Sequence, residues 1–380
     1  MIVLLAGTLL GLALLWPASD KDSSRSEAFG GRSLPATVTT VASDRCPGPV
    51  SQQCRAIVVK LDGGSDDGRT SRITLGPAGT APTIDAGAHV RVARVNLPPG
   101  AAQPGQPAPE RYSFVDYDRH GSLLWLAIAF AALAVVLARL RGVLAVVGVG
   151  LSLLLVTRFM VPAILQGSSP LLVSLVGSLA VMFLTLALTY GPGPQSMAAA
   201  LGIGLSLLLV SVLADAYSHV AQLNGYSSEL ATTLRQFTTK VSLEGVVIAG
   251  MVIGALGVLA DMGVSQASAV MALRRANPRY GARKLYSEAF TVGRDHLSAT
   301  IHTLVLAYVG AALPLLLVLR TAHAGFFDAV NTQDVAEPIV ATLVGSIGLM
   351  AAVPLTTALS SLVAVRLPAA SLPEDHGHSH

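Results

Sequence analysis

The stretch GMVIGALGVLADMGVSQAS, residues 250–268, decides how the rest of the chain is read. Gly250, Gly254, Gly257, Asp261, Ser265 and Ser268 follow one another at spacings of four, three, four, four and three. On an α-helix that spacing places them on one face. Between them stand Val252, Ile253, Leu256, Val258, Leu259 and Val264, side chains suited to a lipid bilayer. A carboxylate on a small-residue stripe is costly in hydrocarbon, so such a helix turns that face to other helices or to a wet cavity. The segment reads as one span of a multi-helix membrane protein, with Asp261 as the candidate functional group. Gly250, Gly254 and Gly257 read as a packing surface that lets a neighbouring helix approach closely.

Composition widens this to the whole chain. Of 380 residues, 52% are hydrophobic and 12% charged, against about 25% charged in a soluble domain. Residues 20–119 hold 23 of the 47 charged side chains, so a hydrophilic module of 100 residues is set into a hydrophobic protein. Apolar runs long enough to span a bilayer, or nearly so, occur near 2–16, 121–138, 142–164, 170–190, 196–214, 244–264, 297–319 and 337–363. The expected fold is a bundle of about eight transmembrane helices with a small extracytoplasmic β-domain. Pro314 and Pro354 are candidate kinks in the last two runs.

The first run has no positive n-region: it is a signal anchor, a cleaved signal peptide, or the remnant of a clipped upstream segment. Lys and Arg set the orientation. Arg139 and Arg141 lie between runs two and three, Arg274, Arg275, Arg279, Arg283, Lys284 and Arg294 between six and seven, and Arg366 after the last. That side is expected to be cytoplasmic, with both termini, and residues 18–119 extracytoplasmic. Cys46 and Cys54 both fall in the hydrophilic module, and a disulfide there fits an oxidising compartment.

Within the module, Ala36–Val41, Arg55–Leu61, Arg72–Leu75, His89–Val95 and Arg111–Val115 are rich in strand formers, and Gly, Pro and Asp separate them. Five short strands suggest a barrel or a sandwich; an OB-type barrel is one option that strand count does not choose. The domain order is then 1–17 as anchor or first helix, 18–119 as the β-domain, 120–365 as the helical membrane domain and 366–380 as a tail.

Further residues resemble a known family. Gly254-Ala-Leu-Gly257-Val-Leu-Ala-Asp261-Met-Gly-Val-Ser265-Gln-Ala-Ser268 resembles a signature of the YibE/F family of bacterial multipass membrane proteins. Asn277-Pro278, Gly293-Arg294-Asp295, and Thr300, Thr303 and Tyr308 follow in the family's order, and Tyr112, Phe114, Asp116 and Arg119 resemble its membrane-entry motif. The resemblance covers about 112–365. It implies a multipass architecture in a bacterial plasma membrane and assigns no reaction. The family pattern carries Asn where this chain has His302, so the resemblance gives His302 no role. A looser likeness, an Asp on a glycine-lined span before a Thr-rich span, extends to SecF and to the resistance-nodulation-division transporters, which couple transport to protons.

Asp261 lies 17 residues past Glu244, about 25 Å along a helix. It reads either as a proton or cation site or as a carboxylate that caps a helix or pairs with an Arg. His302, at a comparable depth on the next run, is either its proton partner or a His bonded to a backbone carbonyl or hydroxyl. Ser265 and Thr300 complete the candidate ion-coupling set; a second stripe runs through His296, Thr300, Thr303, Ala307 and Gly310. Asn277–Arg294 reads as an amphipathic helix on the inner membrane surface, and Arg294-Asp295 as the start of run seven. His376, His378 and His380 in the tail are at most a weak zinc or nickel ligand set, and no metal site is assigned.

Absent motifs narrow the function. There is no G-x-x-x-x-G-K-[ST], H-E-x-x-H, G-x-S-x-G or C-x-x-C, so neither an ATPase nor a hydrolase is expected, and no cofactor. A net charge of +3 without a basic aromatic groove argues against nucleic acid. Two readings remain: an ion-coupled transporter or exporter component using Asp261, or a non-transporting scaffold whose β-domain binds an envelope protein. The expected partners are the lipid bilayer and either an envelope protein or a second copy of the chain.

Overall fold

The computed structural model describes residues 1–18, 33–46, 53–95, 110–227, 233–235, 238–323 and 325–367. The Pro-rich stretch 98–109, which reads as a spacer, and the tail histidines lie outside them. The chain divides into two compact units, residues 19–133 and residues 1–18 with 134–380. The elements in chain order are α1 (Ile2–Leu15), β1 (Leu34–Arg45), β2 (Gln53–Leu61), β3 (Thr70–Pro77), β4 (His89–Arg94), β5 (Tyr112–Tyr117) and α2 (His120–Leu155). A π-helical turn at Val156–Met160 leads to α3 (Val161–Leu165), α4 (Pro170–Tyr190), α5 (Pro194–Val220), α6 (Leu243–Ala276), α7 (Ala282–Thr321), α8 (Phe326–Asn331) and α9 (Gln333–Arg366).

In the β-unit, all five expected strands form one antiparallel sheet in the order β3-β2-β1-β4-β5. Alternation does this: Ile57, Val59, Leu61, Ile73, Val90 and Val92 point to one core with Tyr112, while Val58 and Lys60 between them turn the other way. β1 is long and bulged between Val38 and Thr40; it pairs with β2 along one edge and, through Leu34–Thr37, with β4 along the other. The outer strands β3 and β5 curl toward each other, and Glu110 Oε1 accepts from Thr74 N at 2.8 Å and Thr74 Oγ1 at 2.6 Å across the gap. The sheet is a half-barrel rather than a sandwich, with the strand order of the five-stranded Greek-key OB class. Cys46 and Cys54 are disulfide-linked across the β1–β2 connection, with Cα atoms 4.9 Å apart.

The helical unit carries the membrane character. Six helical stretches among the described residues are long and apolar enough to cross a bilayer, and α1 is a shorter apolar helix. Runs two and three lie on one helical stretch, His120–Leu165, whose helical geometry breaks at Arg139 (φ 50°, ψ −125°). Gly142 there abuts the carbonyl of Ala134. In a straight helix two residues eight apart stand about 12 Å apart, so the chain turns back sharply at this point, where any side chain on Gly142 would strike backbone. At α1, Trp16 stacks on Phe159 with ring centroids 5.6 Å apart, and the Ala18 backbone bonds both ends of the Gln166 amide.

α5, α6 and α9 form the centre, with α4 against them: Met182, Ile203, Leu207, Val210, Val252, Leu259 and Ala352 are buried together. Gly202 lies against Thr356, Gly263 against Ile203 and Gly348 against Val210, so these three, outside the expected stripe, are where glycine permits close approach. α7 and α9 run through Pro314, Pro338 and Pro354 without ending.

The basic segment differs from expectation. Asn277–Arg294 is not a separate surface helix: a short turn at 277–281 is followed by α7, which runs unbroken from Ala282. Leu285 and Ala289 of its first turns are buried with Val270, Met271 and Ala364. The amphipathic face therefore packs on α6 and α9 instead of on lipid, and Arg294-Asp295 sits inside the helix. Residues 217–220 form the last turn of α5.

Candidate functional site

α6 and α7 are joined by the five-residue turn 277–281 and run antiparallel, so side chains equally far from the turn lie level. Asp261 is 16 residues before Asn277 and His296 is 15 after Gly281. His296 Nε2 accordingly stands 4.0 Å from Asp261 Oδ2. One turn along α7, Thr300 donates to the His296 carbonyl at 2.9 Å and contacts Met262 Sδ at 3.7 Å. Farther up the same seam the Tyr308 hydroxyl lies beside Gly254.

Of the four candidate ion-coupling residues, the structure brings Asp261 and Thr300 to the seam with His296. His302 is elsewhere: its Nδ1 is 2.7 Å from the Ser298 carbonyl on its own helix, the simpler of its two readings. Ser265 is half-buried one turn beyond Asp261. The next stripe member, Ser268, accepts a 2.6 Å hydrogen bond from Gln195 Nε2 at the start of α5.

The expected packing stripe is also placed differently. Nothing comes within 4 Å of a Cβ built on Gly250 or Gly257, and the Asp261 side chain is 67% exposed on this chain. Among the described residues only Gly254 meets a neighbour, through Tyr308. The cause is that α7 covers one edge of α6, while α5 and α9 pack on the opposite side. The stripe lines an open seam with Asp261 accessible from it.

Buried polar groups sit on that opposite side. Gln266 is 2% exposed, its Oε1 stands 2.9 Å from Thr357 Oγ1, whose one proton is shared with the Val353 carbonyl at 2.6 Å, and its amide lies against Gly293 of α7. This interhelical bond ties α6 to α9 immediately behind the Asp261–His296 pair. At the other end of α6, His219 Nδ1 is 2.8 Å from Glu244 Oε1 and its Nε2 is 3.9 Å from Asp215 Oδ1, beside Lys240. The i,i+4 spacing of Asp215 and His219 is the signal in the sequence that points to this group. Among the described residues no cluster of His, Cys, Asp and Glu is arranged to hold a metal.

The family model described as YibE/F-like protein matches residues 126–366, which take in most of α2 and everything through α9. The chain belongs to the YibE/F-like family. The Asp261 signature, the 277–281 turn and the Thr300–Tyr308 segment all lie within the YibE/F-like region. The comparisons with curated proteins and with solved structures found no match. The protein is thus a helical YibE/F-like chain of membrane character with a small β half-barrel.

Proposed function

We propose that this chain is the membrane-embedded component of a proton- or cation-coupled transporter or exporter, with Asp261 and His296 as the coupling pair. The observation that carries the reading is the 4.0 Å approach of the two side chains across α6 and α7. Asp261 stands about 27 Å from the Leu243 end of α6 and about 22 Å from the Ala276 end, near mid-helix. An unpaired Asp at such a depth costs about 2.5–3.5 kcal/mol on insertion scales, and an imidazole partner offsets part of that. Imidazole is also the side chain whose charge changes near neutral pH, which suits a proton exchanged with a carboxylate. The open seam gives an ion a route to the pair.

In this reading the break in α2 at Arg139 and Arg141 and the basic ends of α6 and α9 face the cytoplasm of a bacterium, and the disulfide-linked half-barrel faces outward, where it gates or receives substrate. The test is proton flux into proteoliposomes holding a pH-sensitive dye. Asp261→Asn, near in shape but not titratable, should abolish the flux while the protein inserts and elutes as wild type does, and Asp261→Ala should do the same. Flux preserved in Asp261→Asn refutes the coupling role.

The second reading is a non-transporting scaffold whose half-barrel binds an envelope partner. What favours it is the uncovered small-residue face at Gly250 and Gly257, a surface on which another membrane helix, from a partner or a second copy, packs closely.

A further inference from the structure

At the Leu243 end of α6, the start of α4, the last turns of α5 and the first turn of α6 surround a cavity of about 340 Å³. Its charged side chains are of both signs. Asp215 and Glu244 contribute carboxylates, Lys240 an ammonium, and His219 stands between the two carboxylates. His219 Nδ1 lies 2.8 Å from Glu244 Oε1 and holds that side chain, whose second oxygen keeps its own acceptor sites. Asp215 Oδ1, 3.9 Å from Nε2, is beyond hydrogen-bond reach of the ring. Lys240 lies toward α4: a Cβ on Gly167, three residues before that helix, would meet Lys240 Cβ at 3.5 Å. The α4 N-terminus borders the cavity through Ser169 and Leu171 without a side-chain cap, so its first N–H groups and positive dipole end stand on the Lys240 side. The α6 N-terminus is answered within its own first turn, by Ser242, which accepts from Gly245 N at 3.1 Å, and by Glu244. Leu171 and Ile248 supply an apolar lining.

We propose that this cavity binds a small zwitterion, an amino acid with an apolar side chain, its ammonium at Asp215 and Glu244 and its carboxylate at Lys240 and the α4 N-terminus. A ligand of one sign is poorly matched here: an anion meets two carboxylates, and a cation meets Lys240 and a helix N-terminus. A molecule that carries both charges on neighbouring atoms finds a partner for each. Its side chain then lies on Leu171 and Ile248. The volume is at the small end of the range of about 300–1,000 Å³ spanned by ligand pockets, which suits a single amino acid. Glu244 is about 25 Å along α6 from Asp261, so binding here stands or falls separately from coupling at the Asp261–His296 pair.

The experiment uses the full chain in detergent micelles and measures radiolabelled leucine by scintillation proximity. The competitors are unlabelled leucine, isopentylamine, which is leucine without its carboxylate, and N-acetylleucine, which lacks the ammonium. Leucine should bind at one per chain, and each analogue should compete about tenfold or more weakly, the scale of one charge-assisted hydrogen bond. Lys240→Gln should weaken leucine about threefold, the scale of one exposed ion pair, while isopentylamine competes as well as before or better. Asp215→Asn should weaken leucine by about the same factor and leave N-acetylleucine unchanged or improved. A purely structural role would weaken all three compounds alike. Asp328→Asn removes an exposed carboxylate outside the cavity and should leave every affinity within about twofold. Lys240 is itself exposed, so its variant carries the test if Asp215→Asn does not fold. No leucine binding to wild type, equal competition by the three compounds, or a Lys240→Gln variant in which leucine is unchanged or all three weaken equally overturns the proposal.

Discussion

Replacing Gly293 by Ala tests whether the basic segment docks on α6 as part of a continuous α7. A Cβ at Gly293 would stand 2.5, 2.6 and 2.7 Å from Nε2, Cδ and Oε1 of Gln266, far inside van der Waals contact. The amide is the far end of a flexible side chain, so in an open site it would swing aside at little cost. Here it is 2% exposed and bonded to Thr357 Oγ1, so moving it breaks that bond and leaves buried polar atoms unpaired. Overpacking and an unsatisfied buried group each cost about 1–3 kcal/mol, and interhelical bonds in membranes contribute about 0.6 kcal/mol on average. The expected loss for Gly293→Ala is therefore about 1–3 kcal/mol, read as a lower midpoint in SDS-induced unfolding followed by circular dichroism. In a Gln266→Ala background the atoms it would strike are gone, so Gly293→Ala should then be nearly neutral, giving a coupling energy of about 1–2 kcal/mol. Additive effects, or a neutral single variant, would refute the docking and favour a segment lying free on the membrane surface.

Three other outcomes follow from the same structure. His302→Asn should change stability by less than about 0.5 kcal/mol and leave any flux intact, because the ring bonds only its own helix; His296→Asn should reduce the flux. Without the Cys46–Cys54 link the half-barrel should lose about 2–3 kcal/mol by the chain-entropy account of a loop this short, and thiol labelling of wild type should require reductant. The Tyr112 hydroxyl, with smaller help from Arg69, Arg94 and Arg111, holds the Asp66 carboxyl below the usual carboxylate range. A lowered folded-state pKa means stability that is present above the ordinary Asp range and is lost as pH falls through the lowered value. Tyr112→Phe should therefore move the acid-unfolding midpoint of the half-barrel to higher pH, and an unchanged midpoint would remove that assignment.

How far the sequence could be read depended on which force places each residue. Hydropathy placed the apolar runs because burial in lipid or protein selects the same side chains along a whole helix. Alternation placed the five strands because Val59, Ile73 and Val92 must share one face. The choice of half-barrel over sandwich was not legible, since it rests on the β1 bulge and on pairing between strands far apart in sequence. The site was half legible. Asp261 stood out because a carboxylate in an apolar run has few structural explanations. The sequence offers His302 as one candidate partner, because the basic segment looks like a surface helix, which starts the next span near 297. Once that segment docks through Leu285, Ala289 and Gly293, α7 starts at Ala282, and the residue level with Asp261 becomes His296. The Gly250–Gly257 stripe misled for a related reason: small residues mark a face that allows close approach, while Gly202, Gly263 and Gly348 occupy the contacts within this chain.

The coupling claim is tested most directly by charge displacement, which needs no knowledge of the substrate. Full-length protein in liposomes adsorbed on a solid-supported membrane is given a step in pH, and the transient current is recorded. Wild type should give a saturable transient that Asp261→Glu retains in part, that His296→Asn diminishes and that Asp261→Asn lacks. A transient of wild-type size in Asp261→Asn, or none in wild type, would contradict the account.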